Sequence, residues 1–479
     1  MYKTLLCWAV WGLLTLRSDA QPLKPYGAVP TSYQYQWQQM EMYLFVHFGP
    51  NTFTDQEWGS GKENPDVFQP SDLDCMQWAR TAKLAGMKGI IITAKHHDGF
   101  CLWPSQYSHH TVAQSSWRNG KGDVLKELSA ACKAYGLKFG VYLSPWDRNH
   151  PAYGSPAYNQ VFAHMLEEIY QRYGPVFEQW FDGAKGSGPG IKDQRYDWSL
   201  YNGTVKRLQP NVIIFSDVGP GARWVGNEKG MAGTTNWSTL NARGFEPGSH
   251  GPSVTSLNQG DVHGEKWIPA ECDVSIRPGW FYSPGTDSLV KTVSQLAEIY
   301  YGSVGRNANL ILNVPADRHG HFAPEDSLAL MRFRQWRDES FADNLALRAK
   351  VSASDSRGKS AEFSASHLTD GDPGTYWATD DSVTTASLEL DFNQPVTCNN
   401  IWLQEYVRLG QRVSSFTVEV WKEGKFTEVA QGTTIGHKRI LRFATQKTSR
   451  VRVNITGALA CPVLSEVQLY DALDPRDFH

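Results

Sequence analysis

The chain has 479 residues, 41% hydrophobic and 20% charged, with a formal net charge of −3. That length suits one large α/β barrel with a smaller partner as well as it suits three average domains, and the composition excludes a disordered or fibrous chain. No basic excess is left to neutralise phosphates, which argues against nucleic acid as a main partner.

Taken in chain order, the first segment is not part of a fold. Met1-Tyr2-Lys3 carries a positive charge, Thr4–Leu16 is largely apolar, and Ser18-Asp19-Ala20 offers a small-residue cleavage site. Residues 1–20 therefore read as a secretory signal peptide, too short to span a bilayer, and place the protein outside the cytoplasm, secreted or periplasmic. No later segment reaches the ~18 uncharged apolar residues that a membrane span needs. Cys7 leaves with the signal, and the six remaining cysteines are widely and irregularly spaced with no CxxC. Neither a disulfide scaffold nor a zinc site is indicated, and Cys398 with Cys461 is the pair expected if one forms. Sequons stand at Asn202, Asn236 and Asn454, and they matter only in a host that glycosylates exported proteins.

From about residue 40 to 340, short β-rich runs alternate with helical patterns. The strand candidates are Met42–Phe48, Gly89–Ala94, Phe139–Ser144, Phe177–Asp182, Val212–Asp217, Thr234–Trp237, Val274–Arg277 and Leu310–Val314. Most are near-continuous apolar runs, the texture of parallel strands buried on both faces. Between them, Ser71 and Asp74 form a capping-box-like helix start and Asp123 opens Val124–Tyr135. Tyr158–Tyr173 and Asp287–Tyr301 carry the same helical period. Eight strands with intervening helices predict a (β/α)8 TIM-like barrel over residues 21–345.

Residues 346–479 have a different texture. Leu388, Leu390 and Phe392 alternate with polar residues, as do Phe416, Val418 and Val420, and then Val451, Val453 and Ile455. Period-two alternation without helices predicts an antiparallel β-sandwich, so the fold class is α/β followed by all-β.

Functional residues of such a barrel sit at the C-terminal ends of its strands. There the sequence sets a ring of polar and aromatic groups: His47, with Glu57 and Trp58 in its loop; Lys95-His96-His97-Asp98; Ser144 with Trp146 and Asp147; Asp182; Asp217, with Arg223, Trp224 and Glu228; Arg277 and Trp280; and Asn313. Adjacent His96 and His97 point to opposite faces of a strand, the one HxH (His319, His321) lies in a loop, and HExxH is missing, all of which disfavour a catalytic metal. GxSxG, GxxxxGK[ST] and GxGxxG are missing too, which removes the signals for serine hydrolysis and for phosphate or dinucleotide binding. Two carboxylates able to flank a bond, set among Trp and His, suit glycoside hydrolysis.

The motifs His47-Phe-Gly, Lys95-His-His-Asp-Gly-Phe100, Tyr142-Leu-Ser-Pro-Trp-Asp147, Trp180-Phe-Asp-Gly183, Trp224-Val-Gly-Asn-Glu228 and Cys272-Asp-Val-Ser-Ile-Arg-Pro-Gly-Trp280 resemble, in that order, those of α-L-fucosidases of glycoside hydrolase family 29. Glu57–Asn64 and Trp224–Glu228 resemble the α-1,3/4-specific subgroup. The C-terminal region is similar to discoidin-like (factor V/VIII type C) sandwiches, through Thr369–Asp372, Thr375-Tyr-Trp377 and Ser465–Leu469. The resemblance implies a retaining exo-α-L-fucosidase acting on fucosylated oligosaccharides, with Asp182 as nucleophile and Glu228 as acid/base about 5–5.5 Å apart. Glu271 is the rival acid/base. His47, Glu57, Trp58, His96, His97, Tyr142, Trp146, Arg277 and Trp280 are the implied substrate-binding residues, and Asp98, Asp147 and Asp217 brace the loops. No cofactor is implied for catalysis. In the sandwich, Asp370 and Asp372 suit either a structural Ca²⁺ or a metal-free Asx turn. Two other readings stay open, a catalytically silent sugar-binding protein on this scaffold and a retaining glycosidase for another sugar.

Overall fold

The computed structural model describes residues 23–186, 192–248 and 251–478, so the expected signal peptide lies outside the described residues. A helix α1 (Ser32–Gln38) leads into β1 (Met42–Val46), α2 (Pro50–Thr54), α3 (Cys75–Leu84), β2 (Gly89–Lys95), α4 (Val124–Tyr135), β3 (Lys138–Leu143), α5 (Ala157–Arg172), β4 (Val176–Trp180), α6 (Trp198–Leu208), β5 (Ile213–Ser216) and β6 (Ala222–Trp224). A small antiparallel ribbon, β7 (Thr239–Leu240) with β8 (Lys266–Trp267), brackets α7 (Val254–Gln259). Then β9 (Ala270–Ser275), α8 (Val293–Gly302), β10 (Ala308–Asn313) and α9 (Pro324–Ser340) complete the first unit. Parallel pairing closes β1-β2-β3-β4-β5-β6-β9-β10 into a barrel, with β10 beside β1.

Local chemistry accounts for most of these bounds. Helix α4 matches the predicted span because Asp123 accepts the Lys126 N–H at 3.0 Å and Gly136 ends the helix at φ +64°. Helix α3 starts later than expected, since Asp74 rather than Ser71 is the cap, accepting from Gln77 N. The helix expected from Asp287 begins at Val293, where Thr292 and Gln295 make a capping box; Pro284–Leu289 ahead of it is a 3₁₀ turn. The sixth barrel strand is Ala222–Trp224, and Thr234–Trp237 is not a strand. Its three residues are centred on Arg223, a charge that hides the apolar signal of a buried strand. The guanidinium is nonetheless fully buried, because it donates to the carbonyls of Leu257, Ile268 and Trp237 and to Asn236 Oδ1.

The barrel interior is a packed core. Inward residues alternate along each strand, so Tyr43 and Phe45 on β1 face Tyr142, Trp180, Phe215 and Ile311. Trp180 stacks on Phe215 at 4.2 Å and on Tyr142 at 5.3 Å, pairs worth about 0.5–1.5 kcal/mol each beyond the area they bury. The floor holds two acids. Glu178 accepts the Trp37 indole N–H at 2.7 Å, and Glu271 accepts those of Trp180 at 2.8 Å and of the Tyr43 hydroxyl. Burial pushes both carboxyls up, Glu178 to about 7 and Glu271, which also feels the Glu178 charge, well above its ordinary range. The pair retains a proton.

The C-terminal unit contains β11 (Lys350–Ala353), β12 (Trp377–Ala378), β13 (Ala386–Glu405), β14 (Val413–Lys422), β15 (Lys425–Gly432), β16 (Arg439–Ala458) and β17 (Val463–Tyr470), all paired antiparallel. The long strands β13 and β16 break register at Asp391/Val396 and again at Cys398/Asn400. They fold the sheet over a core of Leu388, Leu390, Phe416, Val418, Val451 and Val453, consistent with a β-sandwich. Cys398 lies in that core and Cys461 in a separate cluster with Leu23 and Phe363, where Arg412 donates to its sulfur at 3.0 Å. The expected pairing is therefore not made, and all six described cysteines are buried free thiols. Asp370 and Asp372 form Asx turns, accepting from Asp372 N and Gly374 N, and Asp370 also takes the Thr375 hydroxyl. Among the described residues no group of three or more His, Cys, Asp or Glu could hold a metal, and no helix is long and apolar enough to cross a membrane.

The two units share a polar interface. Asn236 N donates to Thr434 Oγ1 at 2.9 Å, Ser238 N to Gln411 Oε1 at 2.8 Å, and His437 N to Asn307 Oδ1 at 2.7 Å. Lys438 pairs with Glu41. Asn236 is wholly buried here, its amide nitrogen donating to the carbonyls of Arg306 and Asn307, so this sequon has no room for a glycan in the folded chain. Gln411→Ala strands the buried Ser238 N–H, whereas the Asn236 carbonyl keeps the Asn307 amide at 3.0 Å. It is expected to cost about 1–3 kcal/mol, read as a lower urea midpoint at unchanged slope.

Candidate active site

Asp182 stands two residues beyond β4, where the chain leaves the barrel mouth. Its Oδ1 accepts the Ala184 N–H at 2.7 Å and its Oδ2 the Tyr142 hydroxyl at 2.9 Å. The side chain is 24% exposed. Burial raises the carboxyl from its ordinary range and the two donors pull it back, which favours an ionised group facing the pocket.

Three imidazoles surround it. His47 Nδ1 lies 2.8 Å from Asn313 Oδ1. The Asn313 amide nitrogen donates to the Trp280 carbonyl and to Ser275 Oγ, which leaves its oxygen as acceptor and puts the His47 proton on Nδ1. His97 Nδ1 lies 2.8 Å from Ser144 Oγ, whose one hydrogen goes to the Trp146 carbonyl, so His97 also donates through Nδ1. Its Nε2 keeps a lone pair, 3.6 Å from Asp182 Oδ2. His96, with its ring 4.1 Å from that of His97, has a buried Nδ1 without a hydrogen-bond partner. Burial holds His47 and His97 down to about 3 and His96 well below its ordinary value, so all three are neutral near neutral pH. Neutral imidazoles with free lone pairs beside a carboxylate form a cluster of acceptors suited to a ligand rich in hydroxyl donors.

An apolar wall completes the pocket. The Trp280 ring lies 5.0 Å from His47 at 33°, and Phe281 stands edge-on to His47 and His96. Trp146 is buried 4.7 Å from His97, and Trp58, 58% exposed, meets Trp146 edge-on at the rim. Glu57 holds the Trp280 segment in place, since its carboxylate accepts the N–H groups of Trp280 (2.5 Å) and Phe281. Glu228 lies in the turn after β6 and reaches solvent, and the Trp280 indole hydrogen-bonds its carboxylate. Burial and then the Asp182 charge raise it, and Trp280 partly offsets them.

Two expected residues fall elsewhere. Arg277 is buried and its guanidinium is engaged by Asp326 (2.8 Å), Asp287 and Thr286, so it braces the loop after β9 and is not free to meet a sugar. Glu271, the rival acid/base, is sealed in the barrel floor under Trp180 and cannot reach a leaving group. Asp147 pairs with buried Lys95 at 3.2 Å and accepts the N–H groups of Asn149 and His150 in its own loop, as Asp98 accepts that of Phe100, whereas Asp217 reaches across to the Gly248 N–H. Asn313 and Ser144, already in the strand-end ring, set the tautomers of His47 and His97. The sequence reading assigns Asp273 no role, and period-two spacing from the inward Glu271 is the signal that could have marked it.

Comparison with known proteins bears on this pocket. Residues 8–339 match the family model described as alpha-L-fucosidase, and residues 350–464 match that of the F5/8 type C domain. The alpha-L-fucosidase 1 of Arabidopsis thaliana is 41% identical over 471 residues, covering 96% of this chain and 92% of its own. A glycoside hydrolase 29 family member from an unknown rumen bacterium has TM-score 0.83 and 41% identity, over 94% of this chain and 78% of that one. A Ruminococcus gnavus GH29 fucosidase crystallised with fucose has TM-score 0.87 and 31% identity, over 95% and 98%.

Tyr142→Phe removes a donor that lowers the Asp182 pKa. The acid limb of the pH–rate profile for an aryl fucoside is expected to move up by about one pH unit, as loss of one charge-assisted hydrogen bond implies. An unmoved limb would show that the hydroxyl does not stabilise the ionised form.

Proposed function

The chain belongs to the alpha-L-fucosidase family of glycoside hydrolases and is an alpha-L-fucosidase, and from that premise we propose a retaining exo-enzyme that releases α-1,3- or α-1,4-linked fucose from branched, Lewis-type glycans. The observation that carries the mechanism is the electrostatic contrast between Asp182, bonded by two donors and open to the pocket, and Glu228, raised by burial and by the Asp182 charge. Asp182 attacks the anomeric carbon, and Glu228 gives its proton to the departing oxygen. Glu228 then takes a proton from water, which displaces Asp182 and completes the double displacement. His47, His96 and His97 accept hydrogen bonds from the sugar hydroxyls, and Trp280 packs on the face bearing the C5 methyl. All these groups belong to the chain, so the two displacements draw on no cofactor. The linkage reading rests on the stretches Glu57–Asn64 and Trp224–Glu228 and on the exposed Trp58 at the rim, braced edge-on by buried Trp146, an aromatic face on which a further sugar of a branch can stack. The apolar leader of residues 1–20 makes it a secreted or periplasmic enzyme.

Four outcomes test this. Asp182→Ala is expected to lower turnover by roughly 10⁴-fold or more with the fold intact by circular dichroism. Glu228→Gln should cost about 10²–10⁴-fold on oligosaccharides but far less on a nitrophenyl fucoside, whose leaving group needs no proton. The acid form of Glu228 is the active one, so wild-type activity should fall on the alkaline side through its raised pKa, and the variant should lose that limb. Finally, fucose release from an α-1,3- or α-1,4-fucosylated trisaccharide but not from an α-1,2-fucosylated galactoside is expected. Equal release from both would discard the linkage.

A further inference from the structure

Strand β9 turns two acids into the barrel in successive layers, and each accepts an indole N–H. Trp180 donates to Glu271 at 2.8 Å and Trp224 to Asp273 at 2.9 Å. Trp180 precedes Asp182 by two residues, and Trp224 precedes Glu228 by four. Asp273 also acts through its main chain, because its carbonyl accepts the Gly230 N–H at 3.1 Å. The two ends of the turn 224–230 are therefore tied to one residue, with Glu228 between them. Inside the turn, Asn227 donates to the Met231 carbonyl at 2.9 Å, and Asn258 of α7 spans the carbonyls of Val225 and Met231 at 3.2 Å each. The turn also runs against β9 closely enough that a Cβ on Gly230, which sits at φ +70°, would stand 2.9 Å from the Val274 side chain.

We propose that Asp273 is the positioning residue of the acid/base turn: it anchors Trp224 by side chain and Gly230 by main chain, and so fixes Glu228 against the leaving group. The inference rests on the assignment of Glu228 as acid/base. The acid is 4% exposed, and burial first, then any charge on Glu228 or Glu271, favours its protonated form. Glu228 itself faces Asp182 across the pocket, Glu57 from the loop after β1, Asp273 from below and the Trp280 indole, with exposed Lys229 next to it in sequence. A neutral Asp273 holds the turn without adding a further negative charge to this group.

The test compares full-length Asp273→Asn, Asp273→Ala, Trp224→Phe and Glu228→Gln on a fucosyl disaccharide and on a nitrophenyl fucoside across pH. Asp273→Asn keeps an acceptor and no charge, so kcat should stay within about threefold and the alkaline limb should not move. Asp273→Ala and Trp224→Phe should each lower kcat about tenfold to a hundredfold on the disaccharide, but less than about threefold on the nitrophenyl fucoside, with KM little changed. Combining Asp273→Ala with Glu228→Gln should add nothing to Glu228→Gln alone, as expected when one residue acts through the other. Equal losses on both substrates, additive losses, or an alkaline limb displaced by about a unit in Asp273→Asn would overturn the proposal. If Asp273→Ala does not fold, Trp224→Phe and the Asp273→Asn limb decide it. If Glu228→Gln shows no dependence on leaving group, the acid/base assignment itself fails, an outcome visible in that variant alone.

Discussion

A carboxylate has to stay ionised at the mouth of a barrel already filled with aromatic rings, and the arrangement around Asp182 follows from that requirement. Among the described residues no lysine or arginine pairs with it. The charge is carried by two dipoles, the Ala184 N–H and the Tyr142 hydroxyl, each held by the packed layer beneath. A cation would bind the carboxylate tightly and blunt it as a nucleophile, whereas hydrogen bonds lower its energy less and leave a lone pair open to the pocket. The aromatic filling supplies rigidity. Tyr142 stacks on Trp180, and Trp180 is fixed in turn by Glu271.

The same economy of charge extends to the imidazoles. Protonated histidines beside Asp182 would form ion pairs with it, but burial keeps all three neutral, and Asn313 and Ser144 decide which nitrogen bears the hydrogen. The result is a set of lone pairs that accepts from hydroxyl groups and gives no stabilisation to an anionic ligand. Selectivity for a neutral sugar is therefore written partly in residues that need not touch it.

Much of this was legible in the sequence because barrel strands buried on both faces read as apolar runs, and because reactive residues cluster where those runs end. β1, β2 and β3 were found within a few residues for that reason. β6 was misplaced because a buried arginine occupies its centre, satisfied by carbonyls from segments far along the chain. Arg277 has the same origin: a cation at a strand end looks like a ligand-binding group until Asp287 and Asp326, 10 and 49 residues later, are seen to hold it. The floor pair Glu178 and Glu271 could not be anticipated, since nothing local marks two glutamates on strands far apart in sequence as meeting in one buried floor. Motif resemblance located the carboxylates of the mouth, while the tautomers and the turn anchors required three-dimensional contacts.

The interface between barrel and sandwich has a consequence for how the chain is made. Asn236 is both a sequon and the most enclosed amide of that interface, bonded to Arg223, Arg306 and Asn307 at once. In cells that attach oligosaccharides to nascent chains, modification and folding compete for this one nitrogen. A molecule that is modified first carries a bulky polar branch where the sandwich must seat, and it cannot close. In such cells Asn236 would make the speed of early folding a condition for maturation, and the yield of finished enzyme would depend on the host's timing as well as on the stability of the native state.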